Sequence, residues 1–425
     1  MTAALSPAGA DSFETAEIAG LRFPRRRLIS GIPPLERLGN ISSRPDTADI
    51  YVKRDDMTGL GLGGNKVRKL EFYTGHALSL GCDTLIITGA VQSNYVRVTA
   101  AAARAAGLDC HIQLEDRVAG MDDGYRTGGN VLLDRMFGAT LHYLPAEASE
   151  ADADVQLDAI ADGLRAEGRN PYVIHLGASF EPRGALGYIL AAKEILGQIA
   201  DLNAKVGHVV LASGSGQTHS GFLTGLRLWG SVLPVTGVCV RRDAVQQNAR
   251  ITQVCGNLGR LIGRPDLVGP DDIVVTDDYL GPGYGKNSPE TWDALLTAAR
   301  MEGLLLDPVY TSKSFAGALA MAADPATRDA GAVLYLHTGG LPALFAATSC
   351  NENGAVRNSV FMVAITAIFI GMAFHSPLSR FDGTILLMLL ALFLWESVRA
   401  TRKHRAQNGG AAAVADGDGD EELPF

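Results

Sequence analysis

Along this chain a short, wholly apolar run is followed by a glycine-bearing turn and then by a longer stretch with apolar residues every three or four positions. Strands are expected at residues 50–53, 84–88, 110–114, 140–143 and 172–174, and again at 206–212, 233–240, 273–275 and 333–336. Helices are expected between them over 67–80, 94–106, 129–136, 155–167 and 184–199. Short apolar strands that alternate with helices form parallel βαβ units. The pattern therefore predicts an α/β fold of two open, twisted, mostly parallel sheets with flanking helices. A small lobe over roughly 67–180 and a large lobe from the remainder of 1–348 are expected. In such sheets ligands sit beyond the carboxyl ends of the strands, and the glycine-rich turns of this chain fall there.

The two ends of the chain break the pattern. Residues 1–20 read as poorly ordered, being small and polar-acidic. Arg22, Arg25, Arg26 and Arg27 read as a solvated lead-in, the alternative being an acidic partner. Residues 32–36 read as a stiff, extended lead-in. Residues 359–374 and 385–395 are almost wholly apolar, 16 and 11 residues long, against roughly 20 for a full membrane span. With their neutral flanks they predict a short transmembrane hairpin at 357–398, the alternative being a helical pair buried against the lobes. Arg399, Arg402, Lys403 and Arg405 follow, which would keep that end cytoplasmic, and the lobes with it. Membrane association is expected through 359–395, and the tail 399–425 reads as basic, then acidic and disordered.

A net charge of −9 argues against a general nucleic-acid surface. The five cysteines form no CxxC pair, so neither a metal site nor a disulfide framework is indicated, and a reducing compartment fits.

The candidate chemistry centres on Gly59-Leu60-Gly61-Leu62-Gly63-Gly64-Asn65-Lys66. Glycines permit close backbone approach to a ligand, and a helix start offers free N–H donors to an anion. Lys66 is read as the lysine that forms a Schiff base with pyridoxal phosphate. Gly59, Gly61 and Gly64 also fit the dinucleotide fingerprint, but that motif should directly follow an apolar strand, and Arg54-Asp55-Asp56 intervenes. A solvated lysine is the plain alternative. The run Ser213-Gly214-Ser215-Gly216-Gln217-Thr218 follows a strand and makes a better phosphate cup. Gln92-Ser93-Asn94-Tyr95 opens a helix, either as a cap or as a substrate-carboxylate site.

Five motifs then occur in order: Gly-Asn-Lys-x-Arg-Lys-Leu-Glu from Gly64, Gln-Ser-Asn from Gln92, Gly-Pro-Gly-Tyr-Gly from Gly281, Asp-Pro-Val-Tyr-Thr from Asp307 and His-Thr-Gly-Gly-Leu-Pro-Ala-Leu from His337. Together, over residues 28–347, they resemble the D-cysteine desulfhydrase / 1-aminocyclopropane-1-carboxylate deaminase family, fold-type II pyridoxal-phosphate enzymes of the tryptophan synthase β-like kind. The resemblance implies Lys66 as the covalent cofactor lysine and Asn94 as partner of the ring hydroxyl. It implies Lys69 and the Gly214, Ser215, Gly216, Gln217 and Thr218 cup around the phosphate, and Thr338 at the ring nitrogen. Gln92, Ser93, Asn94 and Tyr95 would meet the substrate, Ser93 also assisting proton transfer, with Tyr284 and Tyr310 facing it. The implied reaction is β-elimination of D-cysteine to pyruvate, ammonia and sulfide; L-cysteate sulfo-lyase and cyclopropane deaminase remain alternatives. Thr311 and Thr338 match the desulfhydrase side, where the deaminase pattern has Glu and Leu. Tyr95 departs from the His that many members carry, which leaves the β-leaving group open. A homodimer is expected. Residues 380–394 resemble a helix segment of sodium/calcium exchangers but lack its acidic ion-binding repeats, so no transport is inferred. An inactive, membrane-tethered binding protein on the same fold is the reading from outside enzymology.

Overall fold

Every strand expected from the apolar runs is present, because buried parallel strands must be apolar on both faces. The computed structural model describes residues 13–117, 123–144 and 150–347. The described residues form one compact unit. The hairpin expected at 357–398 and the tail at 399–425 lie outside the described residues. Among the described residues no helix is long and apolar enough to cross a membrane.

In chain order the strands are β1 (Glu14–Ile18), β2 (Leu21–Arg25), β3 (Leu35–Arg37), β4 (Ile50–Lys53), β5 (Thr84–Ala90), β6 (Asp109–Glu115), β7 (Thr140–Leu144), β8 (Pro171–Ile174), β9 (Val206–Ser213), β10 (Val235–Cys239), β11 (Val274–Thr276) and β12 (Ala332–Leu336). One sheet has six strands in the order β11-β10-β9-β12-β4-β3 and the other four in the order β7-β6-β5-β8. All pairs in both are parallel except β3 with β4. Non-consecutive neighbours follow from the helical crossovers that parallel pairing requires. The registers pair Ser213 with Cys239, Leu211 with Leu336, and Leu336 with Lys53. Four strands of the larger sheet thus end side by side, and the loops after them converge.

The N-terminal segment differs from expectation. Residues 14–25 form an antiparallel hairpin of β1 and β2. Arg25 is part of the packing: it donates to Glu71 Oε2 from Nε at 2.9 Å and Nη2 at 2.6 Å. The other oxygen of Glu71 accepts the backbone N–H groups of Leu28 and Ile29. Gly75 lets this hairpin lie directly on helix Lys66–Ser79, since a Cβ there would sit 2.5 Å from the Arg25 Cα. Arg22 and Arg27 keep the solvated character expected of the cluster, Arg27 being 67% exposed at its side chain.

A buried ionic network ties that helix to the larger sheet. Arg68 donates to both oxygens of Asp55 and to Glu194, and Tyr188 donates to Asp55 at 2.6 Å. Lys53, fully buried at the end of β4, donates to Glu194, Gln198 and the Pro33 carbonyl. Removing one partner of such a pair costs about 3–5 kcal/mol. The network fixes the first turn of the helix that begins at Lys66.

Candidate active site

The carboxyl ends of the two sheets face each other across an open cavity of about 900 Å³, counting the solvent at its mouth. From the smaller sheet come Thr88, Ser93, Asn94, Tyr95 and Glu115; from the larger come Lys66, Gly214, Ser215, Tyr284 and Tyr310. Arg250 bridges the two sides, donating to Ser215 O at 2.9 Å and Leu176 O at 2.5 Å.

Lys66 reaches the cavity because the loop before it has no freedom to place it elsewhere. Gly63 has φ +67°, and a Cβ there would lie 2.1 Å from the Asp56 carbonyl, so only glycine fits. Thr58 Oγ1 donates to Gly64 O and accepts from Gly64 N, and Asn65 N donates to Thr338 O at 3.0 Å. Asn65 Oδ1 then accepts Lys66 Nζ at 2.8 Å, while its Nδ2 donates to Thr218 Oγ1 at 2.9 Å. One asparagine thereby joins the lysine to the glycine-serine cup, a bridge that the motif alone does not assign. Its position between Gly64 and Lys66 was the available signal.

The electrostatics favour a reactive amine and an anion. Burial pulls Lys66 down to about 8, with the Asp307 carboxylate opposing and the Arg97 charge assisting. Lys69, buried one turn on, is held well below the ordinary lysine range by burial and by Lys66 itself, with no carboxylate offsetting either effect. The Tyr95 ring lies against both ammonium groups, 5.7 Å from Lys66 Nζ and 5.5 Å from Lys69 Nζ. Two neighbouring buried lysines, of which only Lys66 feels a carboxylate, need a negative partner. The start of helix Gln217–Leu228 supplies N–H donors without intrahelical partners to the same region. A phosphate-bearing aldehyde fits this donor set: one lysine to bond it, a second lysine and a helix start to hold its charge.

Ser93 caps helix Asn94–Ala105, its Oγ accepting Tyr95 N at 3.1 Å, and stands in the cavity wall beside Asn94. Asn94 Oδ1 accepts Asn130 Nδ2 at 3.1 Å. Tyr284 and Tyr310 hydroxyls lie 2.7 Å apart with their rings edge to face, and burial pushes both phenols above their ordinary range. Asp307 orders this side: its carboxylate accepts Val309 N and Tyr310 N at 2.8 Å, Thr311 N at 3.1 Å and Thr311 Oγ1 at 2.6 Å. Lys313 pins the glycine-rich turn before Tyr284, donating to Leu280 O and Gly283 O at 2.7 Å. No sequence signal marked Lys313; its role depends on contacts across 30 residues of chain or more.

Some expected residues stand behind the cavity wall. Gln92 directs its amide to Tyr125 O, Gly128 O and Asn130 N, shaping the loop next door. Gly216, Gln217 and Thr218 form the helix start behind Gly214 and Ser215. Their side chains already have partners: Gln217 binds Tyr73 and Tyr95, and Thr218 binds Asn65. What they present to an anion is backbone. Thr338 contacts the lysine loop through its carbonyl. Among the described residues no group of three or more His, Cys, Asp or Glu is placed to hold a metal.

Comparison with known proteins agrees with this donor set. The family model described as pyridoxal-phosphate dependent enzyme matches residues 27–339. The chain belongs to that family. It is 43% identical over 328 residues to a D-cysteine desulfhydrase of Yersinia enterocolitica, covering 76% of this chain and 96% of that protein. It is 42% identical over 330 residues to a D-cysteine desulfhydrase of Serratia proteamaculans, with 76% and 96% covered. Among solved structures, an ACC deaminase homologue superposes with TM-score 0.67 at 37% identity, covering 76% of this chain and 93% of that one. An O-ureido-L-serine synthase at TM-score 0.56 and 20% identity, covering 76% and 95%, shares the fold. The chain is thus a pyridoxal-phosphate enzyme of the α/β, fold-type II kind.

Proposed function

We propose that this enzyme eliminates the β-substituent of a small amino acid, with D-cysteine and one water giving pyruvate, ammonia and sulfide. The observation that carries the reading is Lys66, a softened amine at the cavity wall facing the paired tyrosines. Its relatives, named as D-cysteine desulfhydrases, support the choice of substrate. Bound here, pyridoxal phosphate supplies an electron sink for charge at the substrate α-carbon.

The chain's own groups would do the rest. Lys66 takes the α-proton, its lowered basicity leaving a usable fraction of free amine near neutral pH. Lys69, Gly214, Ser215 and the backbone of Gly216, Gln217 and Thr218 hold the phosphate. Asn94 holds the ring hydroxyl and Thr338 the ring nitrogen. Ser93 and the helix start behind it hold the substrate carboxylate, with Tyr95 closing that corner and Gln92 supporting it from behind. Tyr284 and Tyr310 share a hydrogen bond, so one hydroxyl can hand a proton to the departing sulfur while the other stabilises it. Thr311 donates to Asp307, so this position brings no carboxylate into the cavity, which favours elimination over ring opening. The small lobe, roughly 67–180, carries the substrate side. The four described cysteines are free and buried, which suits a reducing, cytoplasmic setting.

The test is release of pyruvate with sulfide or sulfite from D-cysteine, L-cysteine, L-cysteate, β-chloro-D-alanine and the cyclopropane amino acid. D-cysteine is expected to give the highest kcat/KM, with sulfide in equal yield to pyruvate. Pyruvate from cysteate alone overturns the reading.

A homodimer is part of the same proposal. Helix Gly129–Met136 packs on helix Leu341–Ala347, yet Leu132, Met136 and Phe345 are 50%, 71% and 65% exposed. Exposed apolar clusters of this kind mark interfaces. Met136→Glu is expected to shift the sedimenting species from dimer to monomer; an unchanged dimer places the interface elsewhere.

A further inference from the structure

Beneath the cavity, between helices Asn94–Ala105 and Gly129–Met136, three fully buried polar side chains have atoms that no protein group reaches. They are Arg97 Nε and Nη1, Asn130 Oδ1, and both carboxyl oxygens of Asp134. Their remaining atoms are engaged on the site. Arg97 Nη2 donates to Gly63 O at 3.1 Å, in the strained segment that presents Lys66. Asn130 Nδ2 donates to Asn94 Oδ1 at 3.1 Å and to Gln92 O at 2.9 Å. Asp134 follows Asn130 by one helical turn and makes no ion pair with Arg97, although the charges of the two are coupled.

We propose that Arg97 is a positioning residue for Lys66, acting through the Gly63 carbonyl and its own charge, and that buried water links it to Asp134 and Asn130. Burying these groups unpaired would be costly, and donors and acceptors are matched for water, which takes two to four polar partners. Burial pushes Asp134 up to about 8 against the pull of Arg97, so at neutral pH the acid keeps its proton and leaves the arginine uncompensated. Cys110, the other titratable group coupled to Asp134, is a neutral thiol whose range burial raises further. The uncompensated arginine in turn helps to lower Lys66, against Asp307 on the opposite side. Burial does most to soften Lys66, and the arginine adds to it against the pull of Asp307.

The proposal rests on Lys66 as the cofactor's lysine, and the tests separate the two. Arg97→Met is expected to raise the pyridoxal phosphate Kd about ten-fold or more, measured from the absorbance of the holoenzyme, and to move the pH midpoint of kcat upward. Arg97→Lys retains a cation and should restore the midpoint while leaving part of the loss in Kd. A purely structural arginine would lower Tm in both variants and move neither midpoint. Asp134→Asn supplies a second handle. An acid whose folded value lies above its unfolded value of about 4 loses stability as pH rises between the two. The Tm of Asp134→Asn minus that of the parent holoenzyme should therefore climb from pH 5 to pH 8 and level off above. A flat difference, an unaltered Kd and midpoint in Arg97→Met, or a crystal structure with a direct Arg97–Asp134 ion pair overturns the proposal. A Lys66→Ala protein that still binds the cofactor covalently would instead sink the reading beneath it.

Discussion

Lys66→Ala is expected to lose the violet-edge absorbance of lysine-bound cofactor completely, and turnover with it by at least about 10³-fold, the scale of a lost general base. No neighbour can substitute. Asn65, its own N–H held by Thr338 O, delivers this one amine to the cavity, whereas Lys69 is absent from the cavity wall, its ammonium against the Tyr95 ring. Lys69 is also held well below the ordinary range by burial and by Lys66, so removing Lys66 relieves one cause without moving it into the cavity. Absorbance of the dialysed variant between the near ultraviolet and the blue decides the matter. An unchanged spectrum would falsify the assignment of the lysine and with it the proposed chemistry.

Asp307→Asn is expected to be the most damaging change outside the lysine itself. The carboxylate accepts three backbone N–H groups and the Thr311 hydroxyl, and an amide can accept at one oxygen only. Orphaning one or two buried donors costs about 1–3 kcal/mol each, so urea unfolding should show a loss of roughly 2–5 kcal/mol. Two functional effects accompany it. Tyr310 loses the backbone anchor that keeps its hydroxyl 2.7 Å from Tyr284, which should lower kcat. Lys66 loses the carboxylate that holds it up, so its midpoint falls below about 8 and the pH at half-maximal kcat moves down. The direction is opposite to that expected for Arg97→Met, and the pair of profiles reports the two charges that bracket the lysine. Unaltered stability in this variant would mean that the turn before Tyr310 is held by something other than Asp307.

Which residues stand in the cavity wall and which stand behind it separates two kinds of legibility. Lys66, Ser93, Asn94, Gly214 and Ser215 were readable because each sits in a glycine turn or at a helix start, and Tyr284 and Tyr310 through the family resemblance; all line the cavity. Gln92 shares a motif with Ser93, but one residue of offset at the strand end turns its amide into the adjoining loop. The basic cluster around Arg25 read as solvated because its partner Glu71 lies 46 residues away, and charge pairing at that range leaves no periodic trace.

The chain by itself determined the α/β class, the strands that build the sheets, the lysine at the helix mouth and the glycine-serine turn proposed for the phosphate. These follow from local rules: apolar runs must be buried, glycine alone takes the sharp turns, and helix starts carry unpaired N–H groups. Tertiary structure alone decided which charges meet. Lys66 becomes a soft amine because burial, helped by Arg97, outweighs the opposing charge of Asp307. Those three come from separate parts of the chain, and electrostatic energy depends on distance in space and on exclusion of water, neither of which the order of residues records.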